Sequence, residues 1–305
     1  MLISYIIPVY HGESTIAPLF EKIKEANEKY DYAYEVIFIW DCGPDDSWKQ
    51  IQLLKSKYPD YIKAIHLSRN FGQHNAIICG FEHAAGDLIV TMDEDLQHDP
   101  SEINKLIEKQ KSGDFDVVYG NYIQRKHNSF RNITSRTLKR LLEIGIPELH
   151  KDYSAYRLIK KDIAKACINM QNSYTFLDGY ISWITTNVSS VEVTHALRQG
   201  GESSYTLKKL IAHSINIFVT FSNLPIKMVT WLSMSFFVFT FIYAFYTLIQ
   251  KLFFNSLIPG FTSIIVLLGF GIGSILFGIS VLGEYIHRIN LKTTKRPNYS
   301  IRKII

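Results

Sequence analysis

Three carboxylates stand side by side directly after an apolar run. Leu88–Met92 reads L-I-V-T-M, which lacks the polar alternation of a half-buried strand and therefore predicts a buried one. Asp93, Glu94 and Asp95 follow, and such crowding is electrostatically costly unless a cation shares the site. Oxygen ligands at alternate positions suit Mg²⁺ or Mn²⁺, which usually also binds water and a substrate phosphate. The stretch therefore predicts a divalent-metal site, and the alternative is a solvated acidic turn opening the helix after Pro100.

The segments around this stretch predict a sheet that brings several loops to it. Strand-like runs alternate with segments of helical periodicity from the first residues to about residue 119. The alternation implies right-handed β-α-β units and a mostly parallel sheet, in which ligands bind at the carboxyl ends of the strands. The loops expected at that edge follow Val9, Trp40, Leu67 and Met92. Strands are predicted at residues 2–9, 35–40, 61–67, 88–92 and 117–119, and helices after Ser14 or Thr15 and after Ser47 as caps, at residues 73–85 and at residues 103–110.

The composition argues against a secreted, disulfide-bonded or zinc-binding protein. Cys42, Cys79 and Cys167 are odd in number and lack C-x-x-C spacing, which indicates neither a disulfide framework nor a zinc site. His74 and His98 also fit no zinc pattern and are expected to be polar loop histidines. The N-terminal run is strand-like and lacks the features of a signal peptide, so the first two-thirds of the chain are expected to be cytosolic. The net charge of +5 is mild, and no nucleic-acid partner is expected.

Two apolar runs towards the C-terminus are long enough to cross a bilayer. Val229–Ile249 and Phe261–Leu282 contain no charged residue, and Lys251–Gly260 joins them. The tail is rich in Lys and Arg whereas the connecting loop carries Lys251 alone, so the positive-inside rule places the tail and the N-terminal domain in the cytoplasm. We therefore expect a two-span hairpin in the inner (plasma) membrane. Small residues four apart permit close packing within the hairpin or between protomers of a homo-oligomer, and they are Gly269 with Gly273 and Ser274 with Gly278.

Two further segments combine basic and apolar residues and suit helices lying on an anionic membrane surface. They cover residues 131–146 and Lys208–Phe221. For the first, an ordinary amphipathic helix packed on the sheet is the alternative. The predicted divisions are an α/β domain at 1–205, a juxtamembrane helix at 206–227, spans at 228–250 and 261–283 around a loop at 251–260, and a basic tail at 284–305.

Seven short motifs, spread from the first strand to the tail, occur together in one enzyme family. They are I-I-P-V-Y at 6–10, D-C-G-P-D-D-S at 41–47, L-S-R-N-F-G-Q-H at 67–74, A-x-G-D at 84–87, M-D-E-D-L-Q at 92–97, R-Q-G-G-E-S-S-Y at 198–205 and R-P-N-Y at 296–299. With them the chain resembles a family 2 glycosyltransferase of the GT-A fold. The subgroup resembled is the polyprenyl-phosphate glycosyltransferases, such as dolichyl-phosphate mannose synthase and the bacterial undecaprenyl-phosphate glucosyl and aminoarabinosyl transferases. The resemblance implies an α/β fold with a mostly parallel sheet, helices on both of its faces and a C-terminal two-helix transmembrane hairpin.

The resemblance also implies a reaction and the residues that carry it. One sugar would pass, with inversion, from a nucleotide-diphosphate sugar, a UDP-sugar being favoured, to undecaprenyl or another polyprenyl phosphate, for cell-envelope glycan or lipopolysaccharide modification. Mg²⁺ or Mn²⁺ would neutralise the leaving diphosphate. The implied metal ligands are Asp93, Asp95 and Gln97, and the implied donor-binding residues are Pro8, Tyr10, Glu13, Asp41, Arg69, Gln73 and Asp93.

A lipid phosphate as acceptor calls for cationic groups near the membrane, and arginine suits it best because its fork fits phosphate oxygens. A phosphate oxygen is already nucleophilic at neutral pH, so a strong general base is less necessary than for a sugar hydroxyl. Asp152 is the candidate to orient or assist, which makes it catalytic together with Asp93 and Asp95. The acceptor candidates are Arg125, Arg131, Arg198, Ser203 and Tyr205.

Three positions depart from the family pattern and bear mainly on the identity of the donor. Trp40 precedes Asp41 where relatives usually carry two adjacent acids, Ala155 replaces the second Asp of D-x-x-D-F-R, and Tyr122 stands where Arg is frequent. The alternatives are a non-catalytic, membrane-anchored nucleotide-sugar-binding protein, a transferase with another lipid or glycan acceptor, and a processive polysaccharide synthase. The last class carries Q-x-x-R-W, whereas no Trp of this chain follows an Arg.

Overall fold

A computed structural model describes residues 1–122, 146, 148–170, 174–194, 216–222, 224–254, 260–293 and 297–305. Most of the two segments predicted to lie on the membrane surface falls outside these ranges. Within them, strands and helices alternate through the first 122 residues, as predicted. These elements are β1 (Leu2–Val9), α1 (Ile16–Tyr30), β2 (Ala33–Trp40), α2 (Ser47–Lys57), β3 (Ile62–Leu67), α3 (Gln73–His83), β4 (Leu88–Thr91), a 3₁₀ turn (Pro100–Glu102), α4 (Ile103–Gly113) and β5 (Val117–Tyr122).

The later part of the described chain includes three more strands and four more helices. They are β6 (Arg157–Lys160), α5 (Lys161–Ile168), α6 (Leu177–Ile184), β7 (Val188–Val193), α7 (Leu224–Phe254), α8 (Phe261–Thr293) and β8 (Ile301–Ile304). The described strands form one mixed sheet in the order β7-β5-β6-β4-β1-β2-β3-β8. The four strands β3, β2, β1 and β4 are parallel neighbours, whereas β6 is antiparallel to both β4 and β5 and β8 is antiparallel to β3. The predicted, mostly parallel α/β sheet is confirmed.

Apolar side chains cover both faces of the sheet. Along β1, Ile3, Tyr5 and Ile7 pack into one cluster with α1, α2 and α4, while Ile6 packs into the other with α3, α5 and α6. Because β1 is buried on both faces, its sequence shows no polar alternation, and Ser4 is its one polar residue. The same reason accounts for the unbroken L-I-V-T of β4.

The first two helices begin without the predicted side-chain caps. Thr15 holds the N-cap position of α1, but its hydroxyl makes no capping bond. Ser47 is the first residue of α2 and not its cap. Its hydroxyl instead donates to Asp45 at 2.6 Å and accepts the N–H of Gly12 at 2.8 Å. The serine therefore links two loops at the carboxyl edge of the sheet.

Two helices of the described chain are long and apolar enough to cross a membrane. The candidate spans are Leu224–Tyr243 and Leu267–Asn290, with mean hydropathies of 1.5 and 1.7, and their side chains are exposed. The helices that contain them have 31 and 33 residues, which at about 1.5 Å per residue exceeds the roughly 30 Å hydrocarbon layer. Both helices are therefore longer than a crossing of that layer requires.

The small residues of the second span divide between two faces of α8. A Cβ on Gly278 would lie 3.6 Å from Val229, and one on Gly271 would lie 3.5 Å from Phe236, so both glycines face α7. Gly269 and Gly273 have no neighbour within 4 Å among the described residues. Among the described residues, the face with Gly271 and Gly278 is the one that packs within the hairpin.

Contacts attach the hairpin of α7 and α8 to the α/β domain at two places. Phe221 packs its ring 4.7 Å from Trp183 of α6. The neighbouring Thr220 accepts a hydrogen bond from Arg288 of α8 at 2.7 Å. After α8, β8 pairs with β3, and Ser300 accepts the N–H of Ser68 at 2.8 Å. The start of α7 and the end of α8 thus both lie at the α/β domain.

A buried ion pair joins the far half of the sheet to α6. Arg157 of β6 and Asp178 of α6 are 2 % and 3 % exposed, and their charged groups are 2.5 Å apart. The hydroxyl of Tyr119 donates to the same carboxylate oxygen at 2.9 Å. Arg157 is the arginine of the D-Y-S-A-Y-R motif, so this motif residue supports the core.

Removing one partner of this pair should be costly. Asp178→Ala is expected to lower the free energy of unfolding by about 3–5 kcal/mol, because Arg157 remains buried without a counter-ion. The measurement is the thermal unfolding midpoint of the purified protein in detergent, with Asp162→Ala, an exposed acid of α5, as the control. The double substitution Arg157→Met with Asp178→Leu should recover most of the loss, because it removes both buried charges together. Equal midpoints for Asp178→Ala and the control would contradict this role.

Candidate active site

The candidate site lies where β1, β2, β3, β4 and β5 end, since these strands run in the same direction. The antiparallel β6 begins at that edge, because Arg157 pairs with Thr91, the last residue of β4. The loops that meet there carry the predicted donor and metal residues and the segment 152–156. The sheet topology therefore assembles motifs that are far apart in the sequence.

Asp93 is held by groups from two neighbouring segments. The side-chain amide of Gln73, the first residue of α3, donates to its Oδ1 at 2.5 Å. The backbone N–H of Asp93 donates to Nδ1 of His98 at 2.9 Å, which places the ring proton on Nε2, 4.0 Å from Oδ2 of Asp93. His98 lies in the loop after β4 with this polar contact, as expected, and it is also buried: it is 5 % exposed and stacks on Tyr156.

Asp95 and Gln97 lie on a tight turn after Asp93. Oδ1 of Asp95 accepts the backbone N–H of Gln97 at 3.1 Å. Between them Leu96 adopts a φ of 62° and buries its side chain in the core. The side chains of Asp93, Asp95 and Gln97 remain partly exposed. Two carboxylates and an amide oxygen on one short turn suit a hard divalent cation, so the donor set fits the predicted metal.

Glu94, the middle carboxylate, turns away from this set. Its two oxygens accept the backbone N–H groups of Tyr10 and His11 at 3.0 and 2.9 Å. Burial raises the pKa of Glu94 to about 7, against the opposing effect of these two hydrogen bonds. In the part of the chain that the structure describes, three Asp, Glu, His or Cys side chains do not converge anywhere as a metal-binding group. Two backbone N–H groups thus stabilise the middle carboxylate, which lowers the electrostatic cost of three adjacent acids.

Neighbouring loops hold the whole loop after β1. Gly12 and Glu13 donate their N–H groups to Ser47 at 2.8 Å and to Asp45 at 3.1 Å. The carboxylate of Glu13 accepts the N–H of Asp46 at 3.3 Å. Tyr10 and Glu13, both predicted to bind the donor, are exposed at this edge.

Pro8 lies inside β1, one residue before its end. The carbonyls of Leu2 and Ile6, which share its side of the strand, accept the N–H groups of Asp87 and Met92. Pro8, which has no N–H, therefore faces the chain beyond the end of β4. No hydrogen bond between β1 and β4 is lost there. A proline is thus tolerated in a central strand, and its ring is buried below the candidate site.

Asp41, which was predicted to contact the base or ribose, is 4 % exposed. Its carboxylate accepts the N–H groups of Phe71 and Gly72 at 2.7 and 2.8 Å. Burial raises the pKa of Asp41, and these two bonds oppose the rise. In this structure Asp41 ties the loop after β2 to the start of α3.

Close packing also joins the loops after β1 and β2. A Cβ on Gly43 would lie 1.6 Å from the carbonyl oxygen of Tyr10, so only glycine fits there. Trp40, one of the three departures, packs its ring 4.5 Å from His66 and 6.0 Å from Trp48. The tryptophan is thus part of an aromatic cluster beside α2.

The loop after β3 places a cation at the same edge. Arg69 is exposed, and its guanidinium lies 4.8 Å from the ring of Phe71. Gly72 has a φ of 87°, which lets the chain turn directly into α3. The predicted donor residues Arg69 and Gln73 thus lie on either side of this turn, and Gln73 reaches Asp93.

The segment 152–156 lies beside the end of β4. The carbonyl of Ala155 accepts the hydroxyl of Thr91 at 2.8 Å. Asp152 accepts the hydroxyl of Ser190 of β7 at 2.9 Å. Ala155 therefore contributes its backbone where the family motif has a second Asp. Tyr122, the third departure, is the last residue of β5.

Five predicted residues lie outside the described part of the chain, and they are the acceptor candidates Arg125, Arg131, Arg198, Ser203 and Tyr205.

The contacts made by Glu94, His98, Asp45 and Ser47 were not predicted from the sequence. Glu94, Asp45 and Ser47 lie within the motifs and His98 directly follows one, but spacing alone does not reveal which backbone group a side chain contacts.

Solved structures share the fold. Mannosyl-3-phosphoglycerate synthase from Rubrobacter xylanophilus matches with a TM-score of 0.56 and 14% identity over 71% of each chain. Glucosyl-3-phosphoglycerate synthase from Mycobacterium tuberculosis, solved in complex with Mn²⁺ and UDP-glucose, matches with a TM-score of 0.53 and 18% identity over 72% of this chain and 77% of that one. At these identities the likeness concerns the fold alone.

Sequence relatives are closer and extend over almost the full chain. A glycosyltransferase of Bacillus subtilis (strain 168), YkcC, whose own function is uncharacterised, is 34% identical over 98% of this chain and 93% of its own. The undecaprenyl-phosphate 4-deoxy-4-formamido-L-arabinose transferase of Sodalis glossinidius is 30% identical over 99% of this chain and 94% of its own. The family described as glycosyl transferase family 2 matches residues 4–168. The chain therefore belongs to glycosyl transferase family 2.

Proposed function

We propose that this chain transfers one sugar from a nucleotide-diphosphate sugar, a UDP-sugar being favoured, to a polyprenyl phosphate at the cytoplasmic face of the membrane. The bond between Gln73 and Asp93 carries the proposal, because it joins the S-R-N-F-G-Q-H loop to the D-x-D loop in one site. Relatives named as undecaprenyl-phosphate transferases align with 99% of the chain, which supports a lipid phosphate as the acceptor. The product would serve cell-envelope glycan or lipopolysaccharide modification.

The donor occupies the edge formed by the loops after β1, β2 and β3. Tyr10 and Glu13 are exposed on the first of these loops, and Arg69 offers a charged group to the diphosphate from the third. Asp41 supports the pocket through its bonds to Phe71 and Gly72, in addition to any contact with the base or ribose. Pro8 forms part of the pocket floor.

Asp93, Asp95 and Gln97 hold the divalent cation, Mg²⁺ or Mn²⁺. When bound, the ion neutralises the charge that develops on the leaving nucleoside diphosphate. Gln73 fixes the orientation of Asp93 through its amide, and His98 fixes the backbone at the same residue. Glu94 is already engaged with the loop after β1 and stands apart from the ligand set.

The transfer proceeds by direct displacement. An oxygen of the acceptor phosphate forms a bond to the anomeric carbon while the bond to the donor's diphosphate breaks, and the diphosphate leaves with the electron pair. One displacement inverts the configuration at that carbon. The acceptor oxygen is ionised at neutral pH, so Asp152 is needed only to orient or assist it. The acceptor phosphate is held by the arginines at 125, 131 and 198 with Ser203 and Tyr205.

The hairpin anchors the enzyme where its acceptor lies. Helices α7 and α8 span the inner membrane, and the attachment of both to the sheet supports a single, cytoplasmic side for residues 1–227 and 283–305. Gly269 and Gly273, which face away from α7, are positions where a second protomer would pack in a homo-oligomer.

The deciding experiment incubates membranes with a panel of radiolabelled nucleotide sugars and measures label extracted into chloroform. Asp93→Ala and Asp95→Ala should each reduce transfer by more than about 1000-fold, because the metal supplies several kcal/mol of charge stabilisation. Asp60→Ala, an exposed acid remote from the D-x-D loop in sequence, is the control. EDTA should abolish transfer by the unaltered protein.

The other outcomes of this assay contradict specific parts of the proposal. Transfer that persists in EDTA and in both variants overturns the metal assignment. Label in a water-soluble polymer or glycan indicates another acceptor or a processive synthase. Nucleotide-sugar binding without any transfer indicates a non-catalytic binding protein.

The orientation of the hairpin is tested by labelling single cysteines in intact cells. In a background that lacks the three native cysteines, a membrane-impermeant maleimide should modify Asn255→Cys and spare Lys295→Cys. The reason is that the loop near 255 is expected outside and the basic tail inside. The reverse labelling pattern would place the α/β domain away from cytosolic nucleotide sugars.

The acceptor assignment is tested at Arg198. Arg198→Ala should raise the apparent KM for lipid phosphate about 10- to 100-fold, because a charge-assisted contact is worth about 1.5–3 kcal/mol. Donor affinity measured by calorimetry should stay unchanged, and Arg198→Lys should recover only part of the loss because a point charge lacks the fork geometry. Lost donor affinity with an unchanged lipid KM would move this arginine to the diphosphate site.

A further inference from the structure

We infer that Glu94 is a positioning residue: its carboxylate holds the loop after β1 against the D-x-D loop, so that donor and metal sites share one geometry. The inference rests on the proposed function and adds a residue to it. It assigns a role to the residue between Asp93 and Asp95.

The contacts of Glu94 distinguish a positioning role from metal ligation. Each carboxylate oxygen already accepts a backbone N–H group, from Tyr10 or His11, within 3.0 Å. Ligation through either oxygen would compete with those bonds and leave an N–H group without its acceptor. Asp93 and Asp95, on either side, keep partly exposed side chains at the turn. Asp93 and Asp95 therefore serve as metal ligands, whereas Glu94 positions the loop after β1.

The loop after β1 depends on acceptors supplied by other loops. Four consecutive N–H groups, from Tyr10 to Glu13, donate to side chains of neighbouring loops: two to Glu94, one to Ser47 and one to Asp45. Successive N–H groups of this kind can bind an anion. Here the protein's own carboxylates and a hydroxyl occupy them, so they hold the loop in place.

Gly12 supports the same arrangement. A Cβ at this position would lie 2.6 Å from Oε2 of Glu94, so a side chain would displace the carboxylate. Tyr10 and Glu13 on the loop are exposed towards the donor edge, whereas Glu94 belongs to the loop that carries the metal ligands. A shift of one loop relative to the other would separate the nucleotide from the ion.

The test compares Glu94→Ala and Glu94→Gln with Glu25→Ala, an exposed acid of α1. Hydrogen exchange of full-length protein in detergent reports on the amides of Tyr10 and His11. In Glu94→Ala their exchange should accelerate about ten-fold or more, because both lose their acceptor. In Glu94→Gln the amide oxygen still accepts one N–H, so the acceleration should be smaller.

Binding of UDP and of other nucleoside diphosphates, measured by calorimetry with Mn²⁺, reports on the donor site. Glu94→Ala should weaken it about 10- to 100-fold and Glu94→Gln about 3- to 10-fold, since two charge-assisted bonds are lost in one case and weakened in the other. The lipid-phosphate KM should stay unchanged, and thermal midpoints should show that Glu94→Gln is folded.

The possible failures separate the two claims. Unchanged exchange at Tyr10 and His11 in Glu94→Ala overturns the positioning role, whatever the enzyme transfers. Faster exchange with unchanged nucleotide affinity overturns it as well. An unaltered protein that binds none of the nucleoside diphosphates contradicts the proposed function, while the exchange result still decides whether Glu94 holds the loop.

Discussion

The electrostatic cost of three adjacent carboxylates is the constraint on which this site depends. The structure meets that cost by giving each acid different partners. Asp93 receives the amide of Gln73, Glu94 receives two backbone N–H groups of the loop after β1, and Asp95 receives the N–H of Gln97. The same bonds draw together the ends of β1, β3 and β4. The hydrogen bonds that stabilise the acids are therefore the same ones that assemble the site.

The two long apolar helices are also attached to the α/β domain by contacts from distant segments. Through β8 the C-terminal tail pairs with β3, the strand whose following loop carries Arg69 and leads to Gln73. At the other end of the hairpin, Phe221 contacts α6 and Thr220 accepts a hydrogen bond from α8. Under the proposed function the acceptor lies in the bilayer, and the donor site needs a defined height above it. Two attachments restrain that height better than one flexible linker would.

Local periodicity was enough to predict the first five strands, the parallel sheet and two candidate spans. Motif spacing was enough to predict the family. The strands β6, β7 and β8 were missed because R-L-I-K and I-R-K-I are only four residues long, and V-S-S-V-E-V carries little apolar signal. Their strand character comes from pairing with distant neighbours. The burial of His98 was not predicted, because it depends on Tyr156, 58 positions away in the chain.

The sequence by itself determined the elements of the first 122 residues, the two candidate spans, the family and the residue types at the site, because these follow from periodicity and motif spacing along the chain. The tertiary structure decided the direction of each side chain. Glu94 turns to the loop after β1, Asp41 is buried under the start of α3, and Arg157 pairs with Asp178 in the core. Each choice depends on which backbone groups a distant segment leaves in need of a partner, and only the folded sheet brings those segments within hydrogen-bonding distance.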